Sequence, residues 1–221
     1  KFFTATDDEH ILIDADYSQI ELRLLAHLSG DENMIAAFNS GVDVHTATAA
    51  QVFRVPPENV TKDLRLRAKA VNFGIIYGIG AFSLAQDIGC SKKQADEYIQ
   101  SYFETYPKVD EYLKATVADA EEHGYTTTMF GRRRMIPEIK SSNKNVAAFG
   151  KRVAMNSPIQ GSAADIIKIA MVNTAKALEE AGIDARLIMQ VHDELIVEAH
   201  ESCADLAAEI LVREMENAVK V

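Results

Sequence analysis

Two adjacent acids beside a histidine, His192-Asp193-Glu194, stand between two apolar runs at 186–191 and 195–199. Another acid, Asp16, ends the apolar run 11–17. Leu187, Met189 and Val191 alternate with other positions, the period of a strand. If these segments pair in one sheet, Asp16 and Asp193 can share a divalent-metal site, because carboxylates are the hard oxygen ligands such ions prefer. His192-Asp193 lacks the Gly or Asn of a tight hairpin, so the turn is inferred from its flanks and not from its own residues.

A second constellation lies in a helical pattern over 61–77. Arg65, Lys69, Phe73 and Tyr77 recur every four residues, so they line one face ~18 Å long. Two cations followed by two aromatic rings suit a ligand with phosphates at one end and a base and sugar at the other. The competing reading is a solvated basic turn leading into a buried aromatic turn. Gly74, Gly78 and Gly80 either permit a close approach or end the helix. They do not form a mononucleotide loop, which lies between a strand and a helix. Arg152, Asn156 and Gln160 repeat the four-residue spacing, with Pro158 between them expected to distort the face. Arg132, Arg133 and Arg134 follow Gly131 at a turn, as a phosphate-backbone contact or as a solvated cluster.

The elements that must position these residues follow from the same patterns. A strand at 11–17 leads into a helix, with Ser18 and Glu21 at capping-box spacing. Helices are expected at 32–38, 45–53, 61–77, 91–103 (Ser91 and Gln94 forming a capping box) and 109–122. The run 125–130 and Met135-Ile136 read as short strands around a turn at Gly131. A long helical region spans 146–181, interrupted near Pro158 and stopped by Gly182. After the hairpin, an amphipathic helix starts near Ser202. Strands bracket the chain, so distant segments must close the sheet, with a mainly helical insert mounted on it.

With 221 residues and 48% hydrophobic composition, the chain has ample material for a core. No apolar run approaches the ~20 residues of a membrane span, and the start shows no basic-then-apolar signal. Cys90 and Cys203 fit no metal or redox spacing and read as free thiols. The net charge of −10 argues against a coat of basic charge, but a groove in an acidic protein can still be basic.

Three signatures together resemble the polymerase domain of the family A DNA polymerases. They are Asp16-Tyr17-Ser18-Gln19-Ile20-Glu21-Leu22-Arg23, then Arg65-x-x-x-Lys69-x-x-x-Phe73-Gly74-x-x-Tyr77-Gly78, and Val191-His192-Asp193-Glu194. Gly131-Arg132-Arg133 and Arg152-x-x-x-Asn156-x-x-x-Gln160-Gly161 lie between the last two, in the family order. The resemblance covers essentially the whole chain. It implies an α+β fold with an antiparallel palm sheet backed by helices and a mainly helical fingers subdomain inserted. The palm would occupy 1–31 and 125–221, truncated at the C-terminus, and the fingers 32–124.

The implied activity is template-directed DNA synthesis by a two-metal mechanism. Asp16 and Asp193, with the Tyr17 carbonyl, would hold two Mg²⁺ ions, for which Mn²⁺ can substitute, and Glu194 is an auxiliary acid. Arg65, Lys69 and His45 would meet the triphosphate, with Lys69 also the proton donor to pyrophosphate. Gln19 belongs to the nucleotide side of the first signature. Phe73 would stack near the incoming sugar and base, and a phenylalanine there implies rejection of dideoxynucleotides. Tyr77 would sit by the templating position, and Glu21 would bond to it and block a ribose 2′-hydroxyl. Arg132, Arg133, Arg152, Asn156, Gln160 and His192 would contact primer-template DNA through features common to all base pairs. The resemblance further implies deoxynucleoside triphosphates as substrates, a monomer, no membrane partner and work in the bacterial cytoplasm.

Family members carry a thumb before the first signature and a final palm strand after the last. Both are expected to lie outside this chain, together with any nuclease domains, leaving weak or no activity in isolation. Two alternatives stand beside synthesis: a fragment that binds nucleotide or primer-template without efficient catalysis, and a two-metal nuclease. The second leaves the Arg65–Tyr77 face without a purpose.

Overall fold

In the computed structural model, which describes residues 3–220, the acid-ending strands meet in one sheet. The first half of the chain runs β1 (His10–Asp16), α1 (Ile20–Ser29), α2 (Glu32–Asn39), α3 (Val44–Val52), α4 (Lys62–Ile76), α5 (Ala81–Ile88), α6 (Lys92–Thr105) and α7 (Pro107–His123). The second half runs β2 (Tyr125–Thr127), β3 (Arg133–Met135), α8 (Lys144–Ala181), β4 (Ala185–Val191), β5 (Glu194–His200) and α9 (Ala204–Glu216). The chain divides into two compact units, Lys1–Ile20 with Ala163–Val221, and Glu21–Ser162. Among the described residues no helix is long and apolar enough to cross a membrane. The fold is α+β, helical in the main with small antiparallel sheets.

In the first unit β5 is the central strand, antiparallel to β1 and β4. Its Leu195, Val197 and Ala199 are fully buried and pack with Ile167, Ala170 and Leu178 of α8 and Ala207, Ile210 and Leu211 of α9. The register sets Ile13 opposite Val197 and Asp16 opposite Glu194. Cross-strand partners project to the same face. The sheet therefore buries its aliphatic face and leaves the other for Asp14, Asp16 and Glu194. A one-residue slip would put the acids into the core, so hydrophobic burial fixes the register of the site.

In the second unit α4 packs along α3, while α5 packs along α6. Thr61 caps α4 by accepting from the Leu64 amide at 3.2 Å, and Ser91 with Gln94 forms the expected capping box on α6. Buried Asp31 caps α2 through the Met34 amide and also accepts from the Lys108 amide at the start of α7, both at 3.0 Å. A separate apolar cluster joins Ala120, Ile136, Ile139 and Ala154.

Four local expectations change. The helix over 146–181 is continuous, with Pro158 inside it. Proline costs about 3 kcal/mol in a helix interior. That cost is offset because Ile159 in one unit and Ile166 and Ile167 in the other are buried, each worth about 1.5–3 kcal/mol. The β2–β3 strands are shorter and shifted, so Arg133 and Arg134 belong to β3 and not to the turn. Thr128 closes that turn, its carbonyl accepting from Gly131 and its amide donating to Arg132 O, each at 2.9 Å. Gln19 has φ +57°, so α1 starts at Ile20 and Glu21 falls one position short of the capping-box site. Finally, α5, unassigned from sequence, carries buried Ala81, Leu84, Ala85 and Ile88 at helical spacing between Gly80 and the left-handed cap Gly89.

Candidate functional site

At the end of the sheet, β1 and β5 deliver their acids together. Asp16 stands opposite Glu194, and the Tyr17 amide donates to the Asp193 carbonyl at 3.1 Å. Burial, then the negative charges of Asp193 and Asp14, push the Asp16 carboxyl above its usual range. Asp14, two residues before Asp16 on the same strand face, was not singled out from sequence although the period of a strand points to it. His192 and Asp193 form a two-residue hairpin turn, and His192 takes φ +54°. A non-glycine residue there is strained. The turn is held partly by Gln190, whose amide nitrogen donates to the His192 carbonyl at 2.8 Å. Tyr17 anchors the other side. Its hydroxyl donates to Met215 O at 2.6 Å, and burial pushes its pKa up to about 12.

Among the described residues no three His, Cys, Asp or Glu side chains form a metal cage. The donors present still suit Mg²⁺, which is commonly held by one or two carboxylates and completes its shell with water and substrate phosphates. Two acids whose mutual repulsion raises a pKa gain most from a nearby cation.

The second unit carries the helix face. Arg65, Lys69 and Tyr77 are exposed and Phe73 is half-buried, so this face is open to a ligand and does not lead into a buried aromatic turn. The Lys69 ammonium lies 5.9 Å from the Phe73 ring centre, and the His45 ring lies 6.0 Å from it. Arg65 is already engaged. Its Nε and Nη2 donate to the two oxygens of Asp43 at 2.8 Å each. The same carboxylate caps α3 through Thr46, accepting from its amide and hydroxyl at 2.8 Å. The Arg65 guanidinium is the main cause that holds Asp43 far below the usual carboxylate range. Asp43 was passed over in the sequence; Asp followed three residues later by Thr at a helix start was the available signal.

His45 is buried, and burial lowers its pKa, so it is neutral at neutral pH. Its Nδ1 pairs with Asn72 Nδ2 at 3.0 Å. Asn72 was also missed. It is a fully buried amide within the apolar stretch Ala70-Val71-Asn72-Phe73.

The Tyr77 hydroxyl donates to Glu21 at 3.1 Å, the bond the resemblance implied, and Gln160 of α8 donates to that hydroxyl at 3.4 Å. Gly78 permits this approach. It has φ +63°, and a Cβ there would meet Arg152 Cγ at 3.0 Å and Met155 Sδ at 3.2 Å. Arg152 and Gln160 are exposed on the continuous α8, whereas the Asn156 amide nitrogen is buried without a hydrogen-bond partner. Arg132, Arg133 and Arg134 are exposed around the β2–β3 hairpin, with Arg133 stacked 4.8 Å above the Tyr125 ring. Cys90 and Cys203 remain free thiols.

The profile of DNA polymerase family A matches residues 1–221. The chain is 55% identical over 210 residues to DNA polymerase I of Caldicellulosiruptor bescii, covering 95% of this chain and 25% of that protein. It is 48% identical over 217 residues to DNA polymerase I of Geobacillus stearothermophilus, covering 98% of this chain and 25% of that one. The chain thus spans about a quarter of the length of these curated relatives. A solved structure, the POL domain of Pol1 from M. smegmatis in complex with DNA primer-template and dNTP, is similar with a TM-score of 0.94 and 43% identity. That match covers 98% of this chain and 38% of that one.

Proposed function

This chain belongs to DNA polymerase family A, and on that premise we propose that it carries the centre that joins a template-selected deoxynucleotide to a primer 3′-hydroxyl, releasing pyrophosphate. The observation that carries the reading is the open face of α4, where Arg65, Lys69 and Phe73 lie beside His45. Phosphodiester hydrolysis needs no clamp that holds a triphosphate and a base together, which is what this face offers. Residues 1–31 and 125–221, which include the three-stranded sheet, act as the palm, and residues 32–124, which include α4, act as the fingers.

Asp16 and Asp193, with the Tyr17 carbonyl, would hold two Mg²⁺ ions, for which Mn²⁺ can substitute. When bound, the metal favours the deprotonated primer hydroxyl and neutralises charge on the phosphates. Glu194 adds negative charge beside that pair. Arg65 and His45 orient the triphosphate by hydrogen bonds, and Lys69 supplies a proton to the leaving pyrophosphate. Phe73 covers the sugar and base. Glu21, held by Tyr77, excludes a 2′-hydroxyl, because an added oxygen there would press against a carboxylate already committed to one partner. Gln19 and His192 border the nucleotide and the primer end. Arg132, Arg133, Arg152, Asn156 and Gln160 contact primer-template DNA, chiefly its backbone and shared minor-groove acceptors.

The test is single-turnover extension of a primer by the protein in large excess, so that even weak turnover registers, with each deoxynucleoside triphosphate against each template base and Mg²⁺ present. The expected result is addition of the complementary nucleotide alone. Addition without regard to template, or shortening of the primer in place of extension, would refute the reading.

A further inference from the structure

A buried polar chain runs inward from His45. Asn72 Nδ2 meets His45 Nδ1 at 3.0 Å, and Thr48 Oγ1 donates to Asn72 Oδ1 at 3.2 Å. Thr48 Oγ1 also meets the Tyr106 hydroxyl at 3.4 Å. Asn72 and Thr48 are fully buried and Tyr106 is 2% exposed, so water does not compete for these groups. The direction of the chain is set at Thr48, whose single hydroxyl proton goes to Asn72 Oδ1, an oxygen that can only accept. The Tyr106 hydroxyl is thereby left as the donor at its 3.4 Å contact with Thr48. With its oxygen on Thr48, the amide turns its NH₂ toward His45. An NH₂ facing Nδ1 requires Nδ1 to be the acceptor, and the remaining imidazole proton must sit on Nε2. Among the described residues Nε2 has no hydrogen-bond partner, and it is not among the buried unpaired atoms.

We propose that Asn72 is a positioning residue that locks His45 as the neutral Nε2–H tautomer, so that the ring offers a donor to a phosphate oxygen. The inference rests on the reading of α3 and α4 as a triphosphate site, but its first step concerns the free protein alone. Donors linked in series polarise one another, and a pre-set tautomer removes the need to reorganise when the anion arrives. The charged groups facing the ring are Asp43 from α3 and Arg65 and Lys69 from α4. The two cations disfavour protonation and Asp43 favours it. The lock therefore supplies a hydrogen-bond donor without a full charge on the ring.

The experiment is ¹⁵N-histidine NMR of the whole chain above pH ~6.5, with binding of a Mg²⁺–deoxynucleoside triphosphate measured alongside. The unmutated protein is expected to show His45 as the Nε2–H tautomer. Asn72→Asp replaces the donor with an acceptor. It should move the ring proton to Nδ1, and loss of the Nε2 donor should weaken nucleotide binding about tenfold, the scale of one buried hydrogen bond. Thr48→Val frees the amide to flip and should give a mixture of tautomers with a smaller loss of binding. If Asn72→Asp does not fold, Thr48→Val decides. An Nδ1–H tautomer in the unmutated protein, a tautomer unmoved by the folded variants, or a shifted tautomer with unchanged nucleotide affinity would each overturn the proposal. If the unmutated protein does not bind the nucleotide, the triphosphate reading fails and this inference falls with it. The NMR spectrum then still reports whether the tautomer is fixed, so the two failures are distinguishable.

Discussion

The end of the β1–β5 sheet and the outer face of α4 treat charge in opposite ways. At the sheet end, burial and then the charges of Asp193 and Asp14 raise the Asp16 pKa, and the result is a carboxyl that resists ionisation. On α4, Arg65 is bound bidentate by Asp43, and His45 is fixed through Asn72 to a buried network. One region is frustrated until a cation arrives. The other is saturated in advance, so its donors are aimed before any anion is present. This difference fits the chemistry each is proposed to serve. Metal ions bring charge to the acids, whereas a nucleotide gains most from donors that need not rearrange.

The largest effect should come from removing the frustration. Asp193→Asn is expected to lower primer extension by more than the roughly 100-fold seen when only a metal's outer-shell partner is lost, with the fold retained by circular dichroism. For Asp16→Asn the thermal midpoint at neutral pH should rise. The folded-state pKa of Asp16 is raised, so above it the ionised group disfavours the folded state, and the amide relieves that penalty. A lower midpoint would mean that ionised Asp16 does not destabilise the fold.

Next in size is the pre-paired cation. Asp43→Ala should destabilise the protein by about 1–2 kcal/mol, because a helix cap is lost and Arg65 is released. Asp43→Asn keeps capping ability and should cost less than about 1 kcal/mol, measured by urea unfolding. The pH dependence separates the two roles. The folded-state pKa of Asp43 is depressed, so its contribution is full above the unfolded value near 3.8 and is lost as pH falls toward the folded value. Asp43→Asn should flatten that acid limb, and an unchanged limb would mean the ion pair stabilises nothing.

Smaller still is the hydroxyl link between Glu21, Tyr77 and Gln160. Tyr77→Phe should cost about 0.5–1.5 kcal/mol, and a Glu21→Ala/Tyr77→Phe double-mutant cycle should show coupling between the two. Smallest is the titration of His45. Its folded-state pKa is lowered, so its contribution is complete above the unfolded value near 6.5 and fades as pH falls toward the folded value. His45→Gln should remove that slope near pH 6 from a stability profile.

Much of this contrast was legible in the chain itself. The period of two around Leu187 and Val191 and the period of four from Arg65 to Tyr77 report burial geometry directly, so the strands and the α4 face came out of pattern alone. Asp16 and Asp193 were readable because acids ending apolar runs have few structural uses. What pattern could not supply were the partners. Asp43 and Asn72 are each 22 and 27 residues from the groups they hold in the pairs Asp43–Arg65 and His45–Asn72, and no local period records a contact made by packing two helices. Pro158 misled because local propensity favours a break that burial on both sides overrides. The segment at α5 was lost because glycines at both ends masked a short helix whose apolar spacing was intact.

In the proposed function the acids serve the reacting end while the α4 face serves the nucleotide. The most direct test measures nucleotide affinity and single-turnover extension separately in Asp193→Asn, with primer-template and Mg²⁺ present. Extension should be lost while nucleotide affinity stays within about tenfold, or ~1.4 kcal/mol. Extension that survives the substitution would contradict it, as would nucleotide binding that disappears together with the rate.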